Sequence, residues 1–298
     1  MKDVPAIAPS TAPTPFTGAK IAILGCGTIG EAVMRGMIES GFARPGQIQA
    51  AVRRESRARL LASTYGVEAG TDNRAAATGA DVVLIAVKPY LVTTLLDEVR
   101  DRIEFDHTLV ISVAAGISTA QMEHHLLGLG RKIGVIRAMP NTPALIRKAM
   151  TALVRGQHAT DAQMELARGL FASVGRTVEV EEKMIDAVTG LSASGPAFIY
   201  MVVESLAEGG VRVGLPRQLA LELAAQTVLG AAAMVQETGE HPAKLKDDVT
   251  TPAGCTVDGI LELEEGGLRV ALIKAVGKAA VRAGKGAAAA PSPHDALH

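Results

Sequence analysis

The chain has 298 residues, 48% hydrophobic and 20% charged, a profile that excludes a mainly disordered protein. Lysine and arginine (30) nearly cancel aspartate and glutamate (31), so no net field draws the molecule onto nucleic acid or an anionic membrane. With 3% aromatic residues and no tryptophan, a stacking platform for single strands is disfavoured too, and small-molecule work is the expectation.

Residues 1–18 carry four prolines and no apolar run long enough for a signal-peptide core, which predicts a loose tail and a cytoplasmic protein. Strands are expected at 21–24, 48–52, 81–87, 108–113, 132–138, 151–154 and 177–180, with helical stretches between them, one of them over 161–173. The run Val82-Val83-Leu84-Ile85-Ala86-Val87 lacks alternation, as a strand covered on both faces requires. Residues 19–181 therefore read as an α/β domain, a doubly wound parallel sheet of Rossmann type.

From about residue 182 strand signals stop, and helices are expected over 195–213, 217–237 and 268–283, an all-helical second domain over 182–283. Ser194 reads as a cap and Pro196 as a first-turn proline. Apolar residues occupy nearly every face of 217–237, which predicts that a second subunit covers part of it and that the protein is a homo-oligomer; interrupting Glu222, Gln226 and Thr227 argue against a lipid span. Tyr200, Glu204, Glu208 and Arg212 recur every four residues and read as a solvated face, or as the lining of a site or an interface. Residues 284–298 should form a loose tail.

The run Ile21–Leu24 leads straight into Gly25-Cys26-Gly27-Thr28-Ile29-Gly30 and then into helix-forming residues. Strand, G-x-G-x-x-G and helix in that order predict a dinucleotide site, with Gly25 turning, Gly27 admitting the pyrophosphate, Gly30 letting helix meet strand, and Thr28 and Ile29 opening the helix. Where a carboxylate would mark NAD, the second strand ends in Arg53 and Arg54, which suits a 2′-phosphate. NADPH is thus expected, with NADH as the alternative cofactor, and a solvated basic turn is the competing reading of the arginines. Ala86, Val87, Lys88 and Pro89 lie at the carboxyl edge of the sheet, where ligands bind, although Lys88 reads equally as an exposed lysine. The small residues about Ala114 suit a flat nicotinamide close to backbone. Cys26 and Cys255 form neither a disulfide framework nor a zinc motif. His107, His124, His125, His158 and His241 lack ligand spacing, so no metal is expected.

Three further segments narrow the reading: Met139-Pro140-Asn141-Thr142-Pro143-Ala144, Leu191-Ser192-Ala193-Ser194-Gly195-Pro196-Ala197, and Asp247-Asp248-Val249-Thr250-Thr251-Pro252-Ala253-Gly254-Cys255-Thr256. With the glycine loop, their order and spacing over residues 19–283 resembles the pyrroline-5-carboxylate reductase family. The resemblance implies hydride transfer from NADPH or NADH to a cyclic imino acid, giving L-proline in the last step of proline biosynthesis, by an enzyme whose helical domain interlocks with a second copy in a dimer or larger ring. It implies Thr256 as the residue that meets the ring nitrogen, Gly254 and Cys255 as backbone donors to the carboxylate, Ser194 beside the substrate, and Asn141 beside the cofactor. A Thr-Pro-Gly-Thr loop leading into a helix is a natural carboxylate cradle on its own chemistry. The family wording Ser-Pro-Gly-Gly-Ala-Thr or Ser-Pro-Gly-Gly-Thr-Thr is broken here by Ala253, whose methyl restricts positive φ, and by Cys255. A 3-hydroxyacid type dehydrogenase needs a lysine that is missing from 194–210, and a dinucleotide sensor without turnover needs no second cradle.

Overall fold

A computed structural model describes residues 14–104, 107–126 and 132–285, so residues 1–13 and 286–298, most of both expected tails, lie outside the described residues. Two compact units divide the chain: one runs up to Ala193 and takes in the residues from Ala279, and the other is Ser194–Lys278.

The first unit is built on strands β1 (Ile21–Leu24), β2 (Ile48–Ala51), β3 (Glu68–Gly70), β4 (Val82–Ile85), β5 (Leu109–Ser112), β6 (Gly134–Met139), β7 (Ala149–Arg155) and β8 (Gly175–Glu179). They form one sheet in the order β3-β2-β1-β4-β5-β6-β7-β8, parallel up to β6. β7 runs antiparallel to β6, and β8 follows β7 in parallel. Its helices are α1 (Thr28–Glu39), α2 (Glu55–Tyr65), α3 (Asn73–Ala77), α4 (Val92–Val99), α5 (Thr119–Leu126), α6 (Asp161–Ala172) and α7 (Ile185–Val188). β1, β4 and β5 are buried along their whole length. Because neighbours on a strand point to opposite faces, each strand feeds two cores. Ile21, Ile23, Leu84 and Ile111 join Phe171 in one, and Ala22, Leu24, Val83, Ile85 and Val110 join Leu96 in the other.

Three expectations are corrected. β3 is absent from the strands read in the sequence, because Glu68-Ala69-Gly70 is a three-residue edge strand with no buried side chain to announce it. Phe16 is not part of a loose tail: its ring stacks on Phe42 at 6.0 Å and its N–H donates to the Phe42 carbonyl at 2.6 Å. Ser194 is no side-chain cap, since its backbone is already helical and its hydroxyl bonds no first-turn N–H; the chain arrives through a π-helical turn at Thr189–Ala193.

Glu182, where the helical part begins, is tied to the sheet. It accepts from the buried Arg137 of β6 at 2.5 Å and from the Thr119 N–H and hydroxyl at the start of α5.

The second unit holds α8 (Gly195–Arg212), α9 (Arg217–Thr238), α10 (Pro242–Asp248), α11 (Cys255–Glu265) and most of α12 (Leu268–Gly284). Its buried hydrophobic core is Ala207, Ala220 and Ala224, where α8 meets α9 so closely that a Cβ on Gly210 would sit 3.0 Å from the Ala220 methyl. Three alanines are a very small core for five helices. Large side chains on the same helices are exposed: Met201 at 66%, Leu229 at 58% and Ile273 at 72%.

Candidate active site

The glycine loop is held by β4. Gly25 has φ +83°, and a Cβ there would lie 2.3 Å from Val87 Cγ1 and 3.1 Å from the Ala86 carbonyl oxygen; one on Gly30 would meet the Ala86 methyl at 3.1 Å. Gly27 differs, because a Cβ there would find nothing nearer than the Gly25 carbonyl oxygen at 3.9 Å. Gly25 is thus demanded by the fold itself and Gly30 is tightly packed, while the middle glycine leaves open the approach to the start of α1. Gly27 stands at the helix N-cap with no side-chain cap, so the N–H groups of Thr28, Ile29 and Gly30 stay free for an anion. That arrangement fits a dinucleotide pyrophosphate. Cys26 is fully buried beside it, and burial, followed by the charge of Glu31, pushes its thiol up to about 12, which keeps it inert.

Arg53 and Arg54 are exposed at the end of β2, with Arg54 the N-cap of α2, and neither side chain has a hydrogen bond or ion pair among the described residues. Glu55, the acid that would compete for a ribose, instead accepts from Thr71 Oγ1 at 3.0 Å. Lys88 is exposed at the head of the short Pro89–Leu91 turn beyond β4. Ala114 is buried, and its N–H already donates to Ser112 Oγ at 3.2 Å.

Asn141, expected beside the cofactor, is largely committed within the protein. Its Nδ2 donates to the Ser192 carbonyl and its Oδ1 accepts from the Met150 N–H, both at 3.1 Å, which leaves one amide N–H for a ligand. Its first task is to pin the π-helical turn to the sheet.

Three residues absent from the sequence reading join this region. Glu31, directly after the last glycine of the loop, pairs with Arg57 and accepts from Tyr65 Oη at 3.0 Å. A carboxylate beside a helix start that is open to an anion calls for a counter-charge, and Arg57 supplies it from 26 positions away in the sequence.

The second unit carries the Thr251–Thr256 loop. Gly254 is the N-cap of α11 and makes no side-chain cap; its N–H donates to the Thr251 carbonyl at 3.0 Å, and the Val257 N–H donates back to Gly254 at 3.1 Å. The Gly254 N–H, expected as a donor to the substrate carboxylate, is therefore spent within the loop, and the N–H groups left over in the first turn are those of Cys255 and Thr256. Thr256 is half-buried, and its hydroxyl has no hydrogen-bond partner among the described residues. Gly254 admits no side chain, since a Cβ would lie 2.4 Å from Thr251 Oγ1. Ala253 holds φ +56°, the left-handed region expected to resist a methyl. Cys255 is exposed.

On α8, Glu208 pairs with Arg217 of α9 at 2.5 Å rather than with Arg212, and the guanidinium holds the carboxyl below its usual range. With Tyr200, Glu204 and Leu221 this pair lines a groove of about 510 Å³. Three members of the four-residue stripe, Tyr200, Glu204 and Glu208, thus line a groove, while Arg212 is not part of it.

A glycine loop at the head of a parallel sheet, open at Gly27 and followed by two uncommitted arginines, defines a nicotinamide-dinucleotide oxidoreductase. Residues 182–285 match the family model for pyrroline-5-carboxylate reductase dimerisation, and residues 20–116 match that for NADP oxidoreductase, coenzyme F420-dependent. Similar proteins include a pyrroline-5-carboxylate reductase of Arabidopsis thaliana, 42% identical over 91% of this chain and 96% of the relative. Another of that name, from Methanosarcina acetivorans, is 43% identical over 88% and 96%. Among solved structures, a pyrroline-5-carboxylate reductase of Coxiella burnetii superposes with TM-score 0.83 at 35% identity, covering 90% of this chain and 98% of its own. A pyrroline carboxylate reductase of Plasmodium falciparum with NADP bound gives 0.79 at 25% identity, covering 90% and 97%. The chain belongs to the pyrroline-5-carboxylate reductase family.

Left-handed backbone at Ala253 costs about 1–2 kcal/mol for an L-residue, against about 0.5–1 kcal/mol of unfolded-chain entropy saved relative to glycine. Ala253→Gly should therefore stabilise the protein by about 0.5–1 kcal/mol, raising the melting temperature by a degree or two in calorimetry.

Proposed function

We propose that the protein reduces 1-pyrroline-5-carboxylate to L-proline with NADPH, the last step of proline biosynthesis. One observation carries the substrate assignment: the first turn of α11, where two free N–H groups stand beside the unpartnered Thr256 hydroxyl. The Cys255 and Thr256 N–H groups, opened by Gly254, take the substrate carboxylate at the positive end of the helix. The Thr256 hydroxyl hydrogen-bonds the ring nitrogen and fixes which carbon of the ring is presented. Ser194 completes the substrate's surroundings. Bound reduced nicotinamide supplies hydride to the carbon of the C=N bond. A protonated imine is electrophilic, so the residues need only position it, and orientation is worth up to roughly 7–11 kcal/mol.

The dinucleotide is held by Gly25, Gly27, Thr28, Ile29 and Gly30 at the pyrophosphate, by Arg53 and Arg54 at the 2′-phosphate, and by Ala86–Pro89, Ala114 and Asn141 towards the nicotinamide. Residues 19–181 serve as the cofactor domain and 182–283 as the substrate and dimerisation domain. NADPH is favoured because both arginines are unengaged and Glu55 is occupied by Thr71. Arg53→Ala with Arg54→Ala should raise the KM for NADPH about tenfold or more while changing that for NADH little, the scale of losing charge-assisted contacts to one phosphate. An unchanged ratio would refute the 2′-phosphate assignment.

Self-association follows from the dimerisation match; its form is proposed as a homodimer or a larger ring. Residues 182–212 and 217–238 are long and apolar enough to cross a membrane by length and composition alone. The three-alanine core of the second unit favours a second copy of the chain over lipid as their cover, in a soluble, cytoplasmic enzyme. Light scattering without detergent should give a dimer or a multiple of it, and a folded monomer would contradict the assignment.

Thr256→Ala should lower turnover of the imino acid roughly ten- to hundredfold, since a hydrogen bond to a charged group is worth about 1.5–3 kcal/mol. NADPH affinity, titrated by its fluorescence, should stay near the parent value. Full activity in that variant would make the loop a structural cap.

A further inference from the structure

Three arginines follow β2 at positions 53, 54 and 57, and they are not used alike. Arg53 and Arg54 are uncommitted, whereas Arg57 is spent on Glu31. Glu31 belongs to α1, one residue beyond the glycine loop, and its carboxylate is gripped twice by α2: by Arg57 in the first turn and by Tyr65, the last residue of that helix. The grip therefore spans the length of α2.

Beyond this grip the helix is held by a narrow apolar contact with the core. Only Ala58 and Leu61 of its eleven residues are buried, Leu60 is 51% exposed, and the remaining side-chain tie to another element is the exposed bond between Glu55 and Thr71. The Glu31 contacts are better sheltered, with Arg57 and Glu31 at 27% and 28% side-chain exposure. The head of α2 is what carries Arg53 and Arg54, the N-cap being Arg54 itself. Glu31 thus links the two ends of the adenosine diphosphate site, the pyrophosphate loop on α1 and the arginines on α2.

We propose that Glu31 is a positioning residue for cofactor discrimination: by clasping Arg57 and Tyr65 it holds the head of α2, and with it Arg53 and Arg54, at the distance from the glycine loop that a 2′-phosphate requires. It touches no cofactor atom. The proposal rests on the NADPH reading above, and it makes a claim which that reading does not contain. Loss of the clasp should penalise the dinucleotide that carries a 2′-phosphate and spare the one that lacks it, because contacts to the pyrophosphate come from α1, which keeps its place. A merely structural role would weaken both equally.

The test measures dissociation constants for NADPH and NADH by fluorescence titration, with hydrogen exchange of the cofactor-free protein as the readout independent of binding. In Glu31→Ala the preference for NADPH over NADH should fall about fivefold or more, the worth of roughly one ordinary hydrogen bond, and the α2 amides should exchange faster than those of α1. Tyr65→Phe removes a single tie, and it serves if Glu31→Ala does not fold; its preference should fall about twofold, and an unchanged preference with unchanged α2 exchange overturns the proposal. A parent enzyme without preference for NADPH would sink the 2′-phosphate reading and this inference together. A parent that prefers NADPH, loses the preference in the Arg53 and Arg54 variant and keeps it in Glu31→Ala would sink the inference alone.

Discussion

The close approach between the glycine loop and the end of β4 is the contact on which the cofactor site depends. Gly25 lies against Val87 and Ala86 at a distance that leaves no room for a β-carbon, and Gly30 against the Ala86 methyl at one that leaves little, so loop and strand end are packed as one body. The packing uses up two of the three glycines and thereby fixes where the third faces. It also sets the direction in which α1 leaves the sheet, and the free N–H groups at its start point where the loop is open. Rossmann sheets place ligands outside the carboxyl ends of their strands for this reason: backbone donors collect there without any polar side chain having to be buried.

The second unit works under the opposite constraint. Its alanine seam lets α8 and α9 approach closely, yet it removes too little apolar surface from water to hold five helices, and leucines, methionines and isoleucines remain on the outside. A match to a dimerisation family over 182–285 gives that exposed surface a purpose. Stability and assembly are then coupled, because the partner supplies burial that one chain lacks.

Legibility in the sequence tracked how local the cause was. β1 runs over the residues read from the pattern, and the glycine loop was readable because spacing alone encodes it. β3 escaped because an edge strand of Glu, Ala and Gly has no period to detect. Ser194 misled because serine before glycine and proline is the composition of a cap, while the π-helical turn that brings the chain in depends on Asn141, fifty-one positions away from its partner Ser192. Glu31, Arg57 and Tyr65 were out of reach for the same reason: they are separated by 26 and 34 positions, and only the packing of α1 beside α2 brings them together. Arg53 and Arg54 could be singled out from composition, but that Arg57 differs from them could not.

Ala253 shows how the two halves of the functional reading constrain each other. A strained residue persists where its surroundings over-determine the backbone, and here they do: Gly254 is locked against Thr251, and its N–H and carbonyl are both bonded within the loop. The loop therefore keeps its left-handed turn although an alanine occupies it, and it keeps Cys255 and Thr256 at the head of α11 with their N–H groups unspent. Cys255 presents its N–H at the start of the helix while its thiol is exposed, so the loop geometry makes no demand on that side chain. The departures from the family wording thus leave the backbone geometry of the loop and the unpartnered Thr256 hydroxyl at the head of α11 in place.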